Sequence, residues 1–223
     1  MPLLRVLEVE VMDTAAEAAD YNAMDHSAVN ALFAEDLLAT GVFSGNKSNV
    51  LDLGTGTALI PIEICRRTAD CHVLAVDLAA HMLELARVNV AAAGLADRVQ
   101  LEKIDAKALP FADGQFDVVM SNSIIHHIPE PMHSLREAVR VTKPGGLLFF
   151  RDLLRPDDDA TLSQLVQTYA GNESPHSRQM FADSLHAALS LDEVRSLLQE
   201  LGFPPGSAQQ TTDRHWTWIG RNP

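Results

Sequence analysis

The sequence predicts an α/β domain built on a parallel sheet with helices on both faces. Three observations predict it. Between residues 49 and 152, short and strongly apolar runs alternate with helical patterns. Runs this apolar belong to strands buried on both faces, and helical crossovers between them keep the strands parallel. Third, acids or turn residues close several of the apolar runs: Asp52, Asp77 and Asp105 among them. Right-handed crossovers put every strand's C-terminal end on one rim, where ligands bind in such sheets.

The elements follow in order. Residues 50–53 form a continuous apolar strand, and 58–67 a helix in which Pro61 sits near the first turn, where a missing N–H costs little. A second strand spans 73–77. Residues 80–93 read as a helix with Met82, Leu85, Ala86 and Val90 on one side and Gly94 as its stop. Strands are predicted at 99–104, 116–121 and 147–151. The helix between the last two, at 132–141, is entered through Pro129 and Pro131 and closed at Lys143-Pro144-Gly145-Gly146.

The flanks are less regular. Residues 1–48 carry helical patterns at about 14–19 and 27–40, and 156–189 read as a polar insertion with a helix near 161–170 and a loop over 171–178. A further helix starts at Ser190, with Glu193 completing a capping box, and stops at Gly202. The tail, 208–220, has room for two strands. The expected organisation is a single domain over 1–223: an N-terminal helical cover (1–48), a core (49–155), an acceptor-side insertion (156–189) and a final helix with strands (190–223).

Composition narrows the function. With 223 residues, 47% hydrophobic and 21% charged, the chain reads as an ordinary globular protein. A formal charge of −13, with Lys and Arg scattered, argues against nucleic acid, which requires a basic face. Cys65 and Cys71 read as buried thiols of a reducing compartment. No signal-peptide pattern and no apolar stretch of membrane-spanning length is visible, so the expected location is cytoplasmic, away from membranes.

The chemistry begins at Val50-Leu51-Asp52-Leu53-Gly54-Thr55-Gly56-Thr57-Ala58. A buried strand, a tight turn and a helix start let a ligand approach the backbone at the two glycines. Asp77, at the end of the next strand, can accept both hydroxyls of a ribose. A pyrophosphate site would want a further glycine at position 59, where this chain has Leu59, and the rim is acidic. A ligand with ribose, adenine and a cationic head fits better than a dinucleotide.

Residues 50–152 resemble the class I S-adenosylmethionine-dependent methyltransferases, on the small-molecule side near the UbiE-like branch (methyltransferase type 11 or 25). The motifs that carry the resemblance are Val50–Thr57, Ala75-Val76-Asp77, Ile104-Asp105-Ala106 with Leu109-Pro110-Phe111, Phe116–Asn122 with His126-His127-Ile128, and Lys143-Pro144-Gly145-Gly146. The resemblance implies a Rossmann-like fold: a seven-stranded, mostly parallel sheet with helices on both faces and its last strand antiparallel. It implies S-adenosyl-L-methionine as cofactor and S-adenosyl-L-homocysteine as product. Gly54, Thr55 and Gly56 would pass under the methionyl and ribose parts while Asp52 orders that loop or its waters. Asp77 with Leu78 would hold the ribose, Asp105 and Ala106 the adenine, and Asn122 would line the cavity beside the sulfonium. Ala58 stands where the family commonly has a third glycine, and a methyl group there is expected to be helix-compatible.

Catalytic candidates are weighed against plainer readings. His127, and behind it His126, stand just past the fourth strand and are candidates for a general base; the plainer reading is pocket shaping or capping. Tyr21, in Tyr21-Asn22-Ala23-Met24-Asp25-His26, resembles a cover over the cofactor; the plainer reading is a helix boundary capped by Asp25. Arg151 could bind an acceptor carboxylate or pair with Asp152. The run Asp157-Asp158-Asp159 reads as a solvated turn, and no metal is expected. Trp216 and Trp218 alternate as core residues on one face of a strand. The function expected is methyl transfer to a small-molecule acceptor by in-line displacement, with O, N, C or S as acceptor atom. Two rivals are a non-catalytic S-adenosylmethionine-binding protein on the same fold and, with less support, a nicotinamide-dependent oxidoreductase. Ser123-Ile124-Ile125 after Asn122 lacks the Pro-Pro-aromatic of amino-methylating enzymes. Oligomeric state is left open, a homodimer among the options.

Overall fold

A computed structural model of the chain describes residues 3–9, 11, 13–43 and 47–223. Seven strands form one sheet in the order β3-β2-β1-β4-β5-β7-β6. They are β1 (Ser48–Leu53), β2 (Cys71–Asp77), β3 (Val99–Lys103), β4 (Phe116–Asn122), β5 (Thr142–Leu153), β6 (Ala208–Gln210) and β7 (His215–Arg221). The helices are α1 (Ala15–Ala23), α2 (Ser27–Ala39), α3 (Leu59–Arg67), α4 (Ala80–Ala92), α5 (Pro131–Val141), α6 (Asp159–Ala170), α7 (Pro175–Ala187) and α8 (Leu191–Glu200). Every strand predicted between 49 and 152 is present. β1 pairs parallel with β2 and β4, and β2 pairs parallel with β3, while β6 and β7 are antiparallel.

The chain divides into two compact units. The first comprises Val11–Asn122, His133–Phe149 and Gly220–Pro223. Here the apolar strand pattern does what period and burial require. Val50 lies opposite Val73 on one side and Val118 on the other, and all three are buried. Phe33 and Leu37 of α2 pack on this core, Phe33 meeting Phe149 edge-on with ring centroids 5.0 Å apart. Helix α1 is held by a capping box between Thr14 and Glu17, and its Ala18 packs with Ala79 and Met82.

The second unit comprises Met1–Glu10, Ser123–Met132 and Phe150–Ile219. Its core is aromatic: Trp218 contacts Phe150 and Phe203, with centroids 5.3 and 5.1 Å away. Leu153, Leu165 and Leu185 form a smaller cluster shared by α6 and α7. Asp158 caps α6 by accepting from Thr161 N–H, and Ser190 and Glu193 form the predicted capping box on α8.

Three expectations change. The segment 143–146 is not a simple stop after α5: the chain enters β5 directly at Thr142, and Gly145, at φ 74°, forms a kink there. Backbone hydrogen bonds Gly145 N–H to Asn222 C=O and Asn222 N–H to Gly146 C=O tie that kink to the C-terminal tail. The loop expected over 171–178 is shorter, because Ser174 caps a helix with Pro175 in its first turn and α7 runs to Ala187. Finally β7 is buried on both faces, His215 and Thr217 as well as Trp216 and Trp218.

Candidate functional site

In the first unit the loop after β1 is shaped by alternating left-handed residues: Gly54, Gly56 and Ala58 have φ of 71°, 55° and 62°. Gly54 and Thr55 N–H both bond Val76 C=O at the end of β2, and Gly56 N–H bonds Asp77 Oδ2 at 2.8 Å. Asp77 Oδ1 accepts from Ala79 N–H at 2.8 Å, so its carboxylate is fixed in direction by two backbone donors. Ala58 is a departure from the sequence reading. It is not helical but left-handed, the conformation that the family's glycine would adopt without a Cβ penalty. Its methyl is fully buried in the core, which offsets part of that penalty.

A small cavity of about 20 Å³ opens beside this loop, lined by Tyr21, Asn30, Asp52, Gly54, Thr55, Thr57, Leu59, Ile60 and Asn122. Of the predicted cofactor residues it brings together Tyr21, Asp52, Gly54, Thr55 and Asn122. Gly56, Asp77, Leu78, Asp105 and Ala106 are not in its lining. Asp77 and Asp105 instead follow Asp52 along the sheet, at the ends of β2 and β3. Strands about 4.8 Å apart make Asp52, Asp77 and Asp105 three successive stations for an extended ligand. Asp105 accepts from Lys107 N–H at 2.9 Å and pairs with its ammonium at 3.0 Å. Asn30, Thr57, Leu59 and Ile60 line the cavity as well, and the sequence does not single them out, because nothing in a helical apolar pattern marks the one turn that faces a cavity.

The electrostatics of the cavity are those of a cation site. Asp52 is buried, and burial lifts its carboxyl to about 7, with the nearby Asp77 charge raising it further and the Thr55 hydroxyl opposing. Burial and the charges of Asp77 and Asp52 likewise raise the Tyr21 phenol, whose ring stacks on His26 at 4.5 Å. The Thr57 hydroxyl is buried without a hydrogen-bond partner. A raised carboxyl, an unpartnered hydroxyl and a left-handed glycine loop suit S-adenosylmethionine, which brings a positive charge and hydrogen-bonding groups. The N-terminal cover is tied on by Asn89, which donates to Asn22 Oδ1 at 2.8 Å and Thr57 C=O at 3.0 Å.

The histidines lie in the second unit. Beyond Ser123, whose φ of 59° turns the chain sharply after β4, Ile125–His127 form a single 3-10 turn. His126 Nδ1 lies 2.5 Å from Asp152 Oδ1, and Asp152 also accepts from Ile125 and Leu153 N–H. Burial alone would lower His126, but the Asp152 carboxylate overcomes it and raises the imidazole. For Asp152, burial is likewise outweighed, by His126 and the two N–H donors, and its carboxyl is lowered. His127 Nδ1 and His126 Nε2 lie 3.0 and 3.6 Å from Glu8 Oε1. Arg5 clamps this turn, donating to C=O of His126, Ile128 and Pro129 and to C=O of Ala187. Arg151 is buried and donates to Thr217 Oγ1, while Arg155 pairs with Glu193 at 2.8 Å. Asp152 is therefore the partner of a histidine, and the partnership was not visible in the spacing of the sequence.

Residues 51–150 match the family model described as a methyltransferase domain. The chain is 34% identical, over 172 residues, to 27-O-demethylrifamycin SV methyltransferase of Amycolatopsis mediterranei (strain S699), covering 75% of this chain and 59% of that protein. It is 35% identical, over 133 residues, to the ubiquinone/menaquinone biosynthesis C-methyltransferase UbiE of Ruegeria sp. (strain TM1040), covering 60% and 53%. The chain thus spans between half and two-thirds of the length of these two relatives. A crystal structure of a SAM-dependent methyltransferase from Aquifex aeolicus superposes with a TM-score of 0.69 over 94% of this chain and 99% of that one, at 19% identity, which speaks for the fold alone. Among the described residues no helix is long and apolar enough to cross a membrane. The glycine loop, the acids at the ends of β1 to β3 and the matched segment agree, and residues 51–150 form a class I S-adenosylmethionine-dependent methyltransferase domain of the UbiE-like, type 11 kind.

Proposed function

We propose that this protein transfers a methyl group to a small-molecule acceptor. The observation that carries the reading is the buried Asp52 carboxyl, raised to about 7, in a cavity closed by Tyr21 and Asn122 and continued along the sheet by Asp77 and Asp105. When bound, S-adenosylmethionine supplies a methyl group already activated by its sulfonium, to be taken by an acceptor approaching in line with the S–CH3 bond. The chain's work is to bind, orient and exclude water. Asp52 places negative charge under a cationic ligand. Asp77, held by Gly56 and Ala79 N–H, presents its carboxylate to ribose hydroxyls, and Asp105 does so for adenine. Tyr21 and the cover formed by α1 and α2 keep water from the cavity.

For an acceptor that is neutral at working pH, a proton must be taken, and we assign that to His127 before His126. Glu8 beside Nδ1 of His127 favours the proton on that nitrogen and leaves Nε2 as the base. His126 is less suited, because Asp152 and Glu8 face its two nitrogens. Small-molecule acceptors, among them the 27-O-demethylrifamycin SV of one relative's name, are favoured over nucleic acid by the charge of −13. The test is label transfer from methyl-labelled S-adenosylmethionine to components of a metabolite extract. Labelled product that vanishes with Asp77→Ala supports the reading. Tight S-adenosylhomocysteine binding with no transfer in any extract would favour a binding protein instead, and NADH binding in its place would favour an oxidoreductase.

A further inference from the structure

We propose that Glu8, His126 and His127 form a site for one divalent transition-metal ion of the zinc type. No residue lining the cofactor cavity takes part, but the two histidines are the residues proposed above as the base. No spacing in the sequence marks it, because Glu8 comes from the N-terminal segment and the histidines from the turn after β4.

Three lines of geometry support it. The three ligand atoms lie within 4.8 Å of one another, with Glu8 Oε1 at 3.0 Å from His127 Nδ1 and 3.6 Å from His126 Nε2. Ligands about 2.0–2.1 Å from a tetrahedral zinc ion are separated by roughly 3.3 Å, and the two distances bracket that value. Second, His127 Nδ1 is buried, with the Glu8 carboxylate oxygen 3.0 Å away. A buried imidazole nitrogen beside a carboxylate oxygen is a pair of donors that one ion can join. Third, the supporting groups are in place. His126 turns its other nitrogen, Nδ1, to Asp152 at 2.5 Å, the carboxylate–histidine–metal arrangement that fixes tautomer and ring direction. Ser184 donates to both oxygens of Glu8, at 3.2 and 3.3 Å.

The Arg5 guanidinium is the opposing charge nearby, and its N–H groups are directed at four backbone carbonyls, which makes it the clamp of the turn that carries both histidines. Two imidazoles and one carboxylate leave a fourth position for water or another ligand, as open zinc sites do. Neutral imidazole favours zinc, cobalt or iron over magnesium or calcium. A metal on His127 Nδ1 would place that ring's proton on Nε2, so metal occupancy and base action by His127 are alternative states of one residue.

The test uses the full chain without a histidine tag, stripped with chelator and dialysed against Zn2+ or Co2+. One equivalent per chain by elemental analysis is expected. The Co2+ form should show the intense visible bands of four-coordination and no thiolate charge transfer from Cys65 or Cys71. Glu8→Gln, on an irregular segment where folding is least at risk, should weaken Zn2+ binding by about 100-fold, and Asp152→Asn by about 10–100-fold if circular dichroism shows it folded. Substoichiometric uptake, unchanged affinity in Glu8→Gln, or a thiolate band would each overturn the site.

Discussion

The loop after β1 and the turn after β4 both bury acidic groups at strand ends, and they treat them in opposite ways. After β1, Asp52 is left with the Thr55 hydroxyl and a second carboxylate nearby, and its charged form is unfavourable. Beside the turn after β4, Asp152 of β5 is matched by His126 and two N–H donors, and its charged form is favoured. The first region carries a cost that a cationic ligand can relieve, while in the second the Asp152–His126 pair is already matched. A binding site and a structural network therefore differ less in residue type than in whether the partners are already present.

The largest expected effect breaks the second region. Asp152→Asn removes one partner of a buried pair and should destabilise the fold by about 3–5 kcal/mol, read by urea denaturation. The pH dependence has two edges. Asp152, lowered in the folded state, contributes stability above its unfolded value near 3.9 and loses it as pH falls through the folded one. His126, raised, contributes fully below about 6.5 and loses it as pH rises through its folded value. The difference between wild type and variant should thus be largest between about pH 4 and 6.5. A difference that is flat with pH would mean the pair is not ionic.

Next comes Asp52→Asn, which should move stability the other way. Folded Asp52 holds its proton to about 7, whereas the unfolded chain loses it near 3.9, so stability falls as pH rises between those values and the penalty is complete above 7. At about pH 8 the variant should be more stable than wild type by roughly 1–3 kcal/mol, and S-adenosylmethionine should bind it more weakly. In the wild type that ligand should bind more tightly as pH rises through 7. A variant that loses stability at pH 8 would show Asp52 to be structural, and the contrast between the two regions would fail.

Asp77→Ala is expected to lose roughly 1–3 kcal/mol of S-adenosylhomocysteine binding, measured by calorimetry. Undiminished affinity would remove the ribose assignment. Because Asp77 also accepts from Gly56 and Ala79 N–H, some loss of stability should accompany the change, whereas Asp52→Asn gains it.

The two regions also differ in how much the sequence revealed. Asp52, Gly54, Asp77 and Asn122 stand at the ends of apolar runs, and run, turn and acid are local patterns that a parallel sheet converts directly into one rim. The capping box at Ser190 and the stop at Gly202 were legible for the same reason: both ends of the interaction lie within a few residues. Asp152 with His126, and Glu8 with His127, join segments far apart in the chain, and no periodicity announces a partner brought in by the fold. The start of helix α7 has a loop-like sequence, because its polar residues, Ser177, Arg178 and Gln179, mask the Ser174-Pro175 start. The sign of φ at Ala58 was equally hidden, since alanine is the strongest helix former and sequence preference points away from the left-handed region.

That residue gives the smallest and most diagnostic effect. Ala58→Gly removes a left-handed strain of about 1–2 kcal/mol but deletes a buried methyl worth about 0.8 kcal/mol and adds backbone freedom to the unfolded chain. The terms nearly cancel, and thermal or urea stability should change by less than about 1 kcal/mol. Cofactor affinity should be equally little changed, because the left-handed backbone that glycine prefers is already present. A loss beyond about 2 kcal/mol would mean that the methyl group is a packing element of the loop. A large gain in affinity would mean that alanine distorts the loop, and that the first region carries strain of its own making as well as a charge awaiting its partner.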